Sequence, residues 1–160
     1  MKRSRVAWAL GVSALFFLHA ARADCNEARA LAQAEAFFKQ HQAFYFKETP
    51  ALRQAVSPAL YRALQRHYRC AGVCHLDYDP WLGAQDGEIA EPIQFAVSSS
   101  TREKVEVRMS YRYDAGPGQP EETNTVRLRL SAVAPPRCWV LDDLVTPLGD
   151  SVLQRYRGKP

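Results

Sequence analysis

Strict two-residue alternation in three stretches between residues 93 and 132 is what most limits the folds open to this chain. Ile93, Phe95 and Val97 alternate with polar neighbours. Val105, Val107, Met109, Tyr111 and Tyr113 alternate with Glu106, Arg108, Ser110 and Arg112, and Val126, Leu128, Leu130 and Ala132 alternate with Arg127, Arg129 and Ser131. Successive side chains of a strand point to opposite faces, so each stretch buries one face and wets the other, as half-buried antiparallel strands do. Asp114-Ala-Gly116-Pro117-Gly118 marks a hairpin loop between two of them. Arg137 to Val145 reads as a fourth strand.

The period differs upstream. Residues 26–47 carry Ala and Leu with Phe37, Phe38, Phe44 and Tyr45 and are without Gly or Pro, with Asn26 placed to cap and Glu27 in the first turn. Thr49-Pro50 and Ser57-Pro58 are two further helix starts, a capping residue followed by proline. Leu60, Ala63, Leu64, His67 and Tyr68 then form an apolar stripe at helical spacing, and Gly72 is expected to stop that helix. Residues 75–92, rich in Asp, Gly and Pro, read as a long connection, and Ser151 to Tyr156 as a closing helical turn. Helices followed by a run of strands predict an α+β fold, with N-terminal helices packed on one face of an antiparallel sheet of about four strands.

The net charge of +4 suggests a basic protein, but Lys2, Arg3, Arg5 and Arg22 all precede residue 24 and no acidic residue does. Past that point the chain has as many basic as acidic residues, which argues against a nucleic-acid track. Arg108, Arg112, Arg127 and Arg129 are therefore read as part of a solvated mixed face with Glu103, Glu106 and Glu121. Met1 to Ala23 has the three parts of a secretory signal: a basic start, an apolar run from Val6 to Leu18, and the small-residue pattern Ala21-Arg22-Ala23. That run is too short for a membrane span. Cleavage after Ala23, a periplasmic location and a single domain over residues 24–160 are expected.

Cys25, Cys70, Cys74 and Cys138 all follow that cleavage site. In an oxidising compartment two disulfides are the default, and four cysteines allow three connectivities. The turn at Gly72 favours Cys70–Cys74, leaving Cys25–Cys138. Cys70-Ala-Gly-Val-Cys74-His75 is one residue too long for covalent haem attachment, and oxidation works against a zinc site made with His67. No cofactor and no metal is expected.

The densest polar cluster runs from Asp77 to Glu88. As a calcium loop it fails where an oxygen ligand and a glycine are required, at Trp81 and Leu82, so a turn-rich loop pinned by Trp81 is the better reading. Asp77, Asp79, Trp81, Gln85 and Asp86 are the binding candidates in this loop. His67 and Asp142 are weak catalytic candidates: the first lies on an apolar stripe, and one of Asp142 and Asp143 must face inward if the alternation holds. Nothing here has the strength of a catalytic motif.

Asp77-Tyr-Asp79-Pro80-Trp81-Leu82-Gly-Ala-Gln85-Asp86, with Trp139-Val-Leu-Asp142-Asp143-Leu and Gly149-Asp-Ser-Val-Leu, resembles an exported bacterial family, the domain of unknown function 3828. That family carries a "D-x-D-P…Q-D" loop and a "W-x-I-D-D-I" strand; Leu141 stands where isoleucine is commoner. The resemblance spans roughly residues 30–157. It implies a nuclear transport factor two-like cone, a curved antiparallel sheet cupping helices, and no established activity. Such cones host enzymes and binding domains alike.

A small exported domain braced by disulfides is thus expected to be a non-enzymatic binding module with a protein partner in the periplasm. An immunity protein that neutralises a toxin is one form of that role. The alternative is a small-molecule-binding protein or enzyme with a pocket between helix and sheet lined by His67, Tyr111, Tyr113 and Trp139. A third reading is a structural accessory of the cell envelope.

Overall fold

The computed structural model describes residues 25–71 and 74–158. The signal segment and Gly72 lie outside them. Helices α1 (Glu27–His41), α2 (Leu52–Ala55) and α3 (Pro58–Tyr68) precede four strands, and α4 (Val152–Arg157) follows them. The strands are β1 (Glu88–Ser100), β2 (Lys104–Asp114), β3 (Glu122–Ala132) and β4 (Trp139–Val145). They form one open antiparallel sheet in sequence order. The protein is therefore α+β, with a four-stranded antiparallel sheet.

The helix starts follow from local chemistry. Asn26 accepts from the Arg29 N–H at 3.1 Å, and Ser57, ahead of Pro58, accepts from the Leu60 N–H at 3.1 Å. Ser151 caps α4 in the same way, through the Gln154 N–H at 3.1 Å. Each side chain satisfies an N–H that has no partner inside its helix. Thr49 accepts from Leu52 at 3.3 Å at the start of α2.

One face of the sheet carries the core. Val105, Val107, Met109 and Tyr111 of β2 and Val126, Leu128 and Leu130 of β3 are buried against Ala30, Ala34, Phe37 and Phe38 of α1. Leu60, Ala63 and Leu64 of α3 and Val152 and Tyr156 of α4 close the same cluster. The opposite face is mixed in charge: Arg129 pairs with Glu106 at 3.1 Å, and Arg112 with Glu121 at 3.6 Å.

Three elements differ from the sequence expectation. β1 begins at Glu88, so the long connection is shorter than read; Pro92 fits because β1 is an edge strand whose pairing is irregular between Ala90 and Gln94. α1 ends at His41 rather than running to residue 47. The chain turns there to bury Phe44, and the Gln42 carbonyl at the helix end accepts the Trp81 indole N–H at 2.8 Å. In β4 the register with β3 slips, Arg129 pairing with Asp143 and Leu130 with Leu141, so Asp142 is the inserted residue of a bulge.

Candidate functional site

The loop between α3 and β1 is built around Asp79. Its Oδ1 accepts the Trp81 N–H at 2.7 Å, and its backbone carbonyl accepts from Leu82 and Gly83. Its Oδ2 accepts the Tyr45 hydroxyl at 2.8 Å, which fastens the loop to the turn after α1. Tyrosines of the sheet hold it from below. Tyr111 donates to the Trp81 carbonyl and Tyr113 to the Asp86 carbonyl, the latter at 2.9 Å. Gly87, at φ +116°, leaves the space that the Tyr113 ring occupies; a Cβ there would lie 2.5 Å from the ring.

Trp81 is expected from sequence to belong to a contact surface. In the structure it is only 2% exposed and packs edge-on against Phe38 and Phe44, at centroid distances of 5.2 and 5.8 Å. It is a core residue that anchors the loop. Asp77, Gln85 and Asp86 are exposed, and Asp79 is half-buried.

Asp77, Asp79 and Gln85 meet His67 in a cleft of about 550 Å³. Tyr45 and Phe46 line it from the turn after α1, and Tyr68 from the end of α3. Tyr78 and the Cys70 and Cys74 pair complete its wall. A second cavity of about 430 Å³ shares Tyr45, Asp79, Leu82 and Gly87 with it, so the Tyr45–Asp79 hydrogen bond lies where the two meet. At the rim Phe46 is 81% exposed; among the described residues, only Leu148, at 65%, is another exposed large hydrophobic.

His67 stacks on Tyr156 with the rings parallel within 2° and 4.2 Å apart, and the His75 ring lies 5.4 Å away. Its Nδ1 is buried with no hydrogen-bond partner. Burial, then the neighbouring His75, pushes its pKa below the ordinary value, against a smaller pull from the Tyr45 backbone. The Tyr45, Tyr68 and Tyr156 hydroxyls are all held above the usual tyrosine range, chiefly by burial.

The helix/sheet pocket predicted around His67, Tyr111, Tyr113 and Trp139 does not form. Trp139 lines a separate cavity with Gln33 and Arg137, Tyr111 is buried beneath the loop, and Tyr113 is engaged by Asp86. The buried carboxylate near the C-terminus is Asp143, 5% exposed, and not the candidate Asp142. The bulge turns Asp143 toward Ser151 at 2.7 Å, the Leu153 N–H at 2.9 Å and Arg129 at 3.4 Å. Those contacts hold the start of α4, a structural role. Burial raises its pKa despite them.

Cys25 and Cys138 lie at disulfide distance, with their Cα atoms 5.1 Å apart, as do Cys70 and Cys74 at 6.2 Å. The first pair joins the residue ahead of α1 to the entry of β4. Among the described residues, no group of three metal-ligating side chains stands together, and no helix is long and apolar enough to cross a membrane.

Sequence reasoning found the loop but missed Tyr45, Phe46, Tyr68 and Tyr78 as its partners in the cleft. Their only sequence signal was aromatic density, which core packing explains equally well. No family model, curated protein or solved structure matches this chain.

Proposed function

We propose that the protein is exported, with its signal removed after Ala23, and acts in the periplasm as a binding module for a protein partner. The observation that carries this reading is the cleft of about 550 Å³ with Phe46 standing 81% exposed at its rim. An exposed aromatic side chain beside a concave, partly polar surface is the usual anchor of a protein contact. Neutralising a toxin, as an immunity protein does, is the form of this role that small size and disulfide bracing favour. The helix-then-strand order and the helices over one sheet face support the nuclear transport factor two-like cone, and with it the resemblance to the domain of unknown function 3828.

The test is crosslinking in the native envelope with wild-type protein and a Phe46→Ala/Asp77→Asn double variant. A stoichiometric partner held by the wild type and lost by the variant supports the reading. A partner retained undiminished by the variant removes the cleft as its contact.

One observation favours a small-molecule role instead: the ring of His67 lines the cleft while its Nδ1 has no partner. A ligand or substrate would then pack against the His67 ring where it lines the cleft, its Nδ1 itself being buried. Under this reading His67→Phe abolishes ligand binding while the stack on Tyr156 and the thermal midpoint are kept.

A further inference from the structure

We propose that the cleft bounded by Tyr45, Phe46, Tyr68, Tyr78, Asp77 and Asp79 binds an organic cation, an ammonium or guanidinium group on an apolar stem. The inference rests on the binding reading above and specifies the chemistry of what binds.

The lining contains two carboxylates and neither lysine nor arginine. Neither Asp77 nor Asp79 has an ion-pair partner among the described residues. Asp79 is hydrogen-bonded by Tyr45 and by the Trp81 N–H, so its charge is oriented but not neutralised. A carboxylate oxygen accepts more than one hydrogen bond, and both retain capacity toward a guest.

The tyrosine hydroxyls are committed to acceptors within the protein. Tyr45 donates to Asp79, Tyr68 to the Phe44 carbonyl and Tyr78 to the Asp150 carboxylate. These phenols have no proton left to offer an anion. What remains to a guest is their aromatic rings, made more electron-rich by donation to carbonyl and carboxylate, and the faces of such rings attract cations. Phe46 adds a fourth ring at the mouth.

The other classes of guest fit poorly. An anion would meet two carboxylates and no cationic side chain to offset them. A neutral apolar guest would take Asp79 out of water with nothing in exchange, and a buried charge without a partner is costly. Leu76, Leu82 and the His67 ring supply apolar wall for a stem. Burial keeps that ring in its neutral form at neutral pH, so it adds no opposing charge. A volume of about 550 Å³ exceeds what a single ammonium headgroup needs and leaves room for the stem.

The cation could be a free small molecule or a basic side chain of a partner, and the test separates these sources. Purified protein with its disulfides intact is titrated calorimetrically with choline and with 3,3-dimethylbutanol, its uncharged isostere. A blocked arginine- and lysine-containing peptide and its fully acetylated, citrulline-substituted counterpart form the second arm. Saturable binding of choline or of the basic peptide, without binding of its uncharged counterpart, is the expected result. Added salt weakens it. Asp77→Asn and Phe46→Ala each weaken it about 2- to 30-fold with the thermal midpoint unchanged, because both side chains are exposed.

Equal binding of charged and uncharged probes overturns the inference, as does binding indifferent to both variants. If the crosslinked partner is lost on substitution while the cleft ignores charge, the cation inference fails and the binding module stands. If the partner holds to the variants and no cation binds, the cation inference fails and the cleft is removed as the partner's contact; if the wild type captures no stoichiometric partner and binds no cation, both readings fail.

Discussion

The Tyr45 hydroxyl donates to Oδ2 of Asp79 at 2.8 Å across a separation of 34 residues. This contact joins the turn after α1 to the loop before β1, and without it the cleft would lose one wall. The Trp81 indole, donating to the Gln42 carbonyl, makes a second tie to the end of α1, Tyr78 ties the loop to Asp150, and Tyr111, Tyr113 and Asn124 of the sheet hold it from beneath.

Tyr45→Phe removes the donor and leaves the half-exposed Asp79 carboxylate to water, so the expected loss is about 1 kcal/mol. Asp79→Ala also strands the Trp81 N–H and should cost about 2–3 kcal/mol. Urea unfolding of the two variants checks the ranking. Equal losses would mean that the Trp81 N–H finds another acceptor.

Trp81→Ala opens a cavity among Phe37, Phe38 and Phe44, and the expected destabilisation is about 3–5 kcal/mol. Trp81→Phe keeps most of the packing and forfeits the indole hydrogen bond to Gln42, so its loss should be smaller. Thermal unfolding distinguishes the core role from a surface role, for which both substitutions would leave the midpoint in place.

His67 and Asp143 respond to pH in opposite senses of shift, and the signs can be followed separately. The folded pKa of His67 lies below its ordinary 6.5, so the unfolded chain takes up the proton first. Its contribution to stability is present above that value and is lost as the pH falls. His41, also lowered by burial, acts in the same direction. Asp143 is raised above its ordinary 3.8, so its contribution is full below that value and is lost as the pH rises through the folded pKa. Wild type should therefore lose stability relative to His67→Phe between about pH 7.5 and about pH 5. Thermal midpoints of the two proteins across that interval test it; parallel curves would show that His67 titrates alike in both states.

The two cysteine pairs differ in the length of chain they close. Cys25 and Cys138 are separated by 113 residues, and Cys70 and Cys74 by 4. Loop-closure entropy then predicts a loss of about 5 kcal/mol on removing the first bond and about 2 kcal/mol on removing the second. Paired serine substitutions followed by urea unfolding give both values. A larger loss for the short pair would point to an enthalpic role at the end of α3.

What the sequence determined by itself was local. The alternation of β2 and β3, the Asn26, Ser57 and Ser151 caps and the order of helices before strands were legible because each depends on neighbours a few residues apart. The Asp77–Glu88 loop was visible too, through its turn residues. The tertiary structure decided which of those residues face a ligand. Trp81 looked available until α1 and the turn after it offered it a carbonyl and three phenylalanines, and the β4 bulge left Asp143, not Asp142, as the buried carboxylate. A single bulge shifts the facing of the residues beyond it, and composition does not encode where it falls. The cleft itself is a meeting of Tyr45, His67 and Asp79 from three separate segments. Such convergence is set by how the elements pack, and a pattern along one segment carries no record of it.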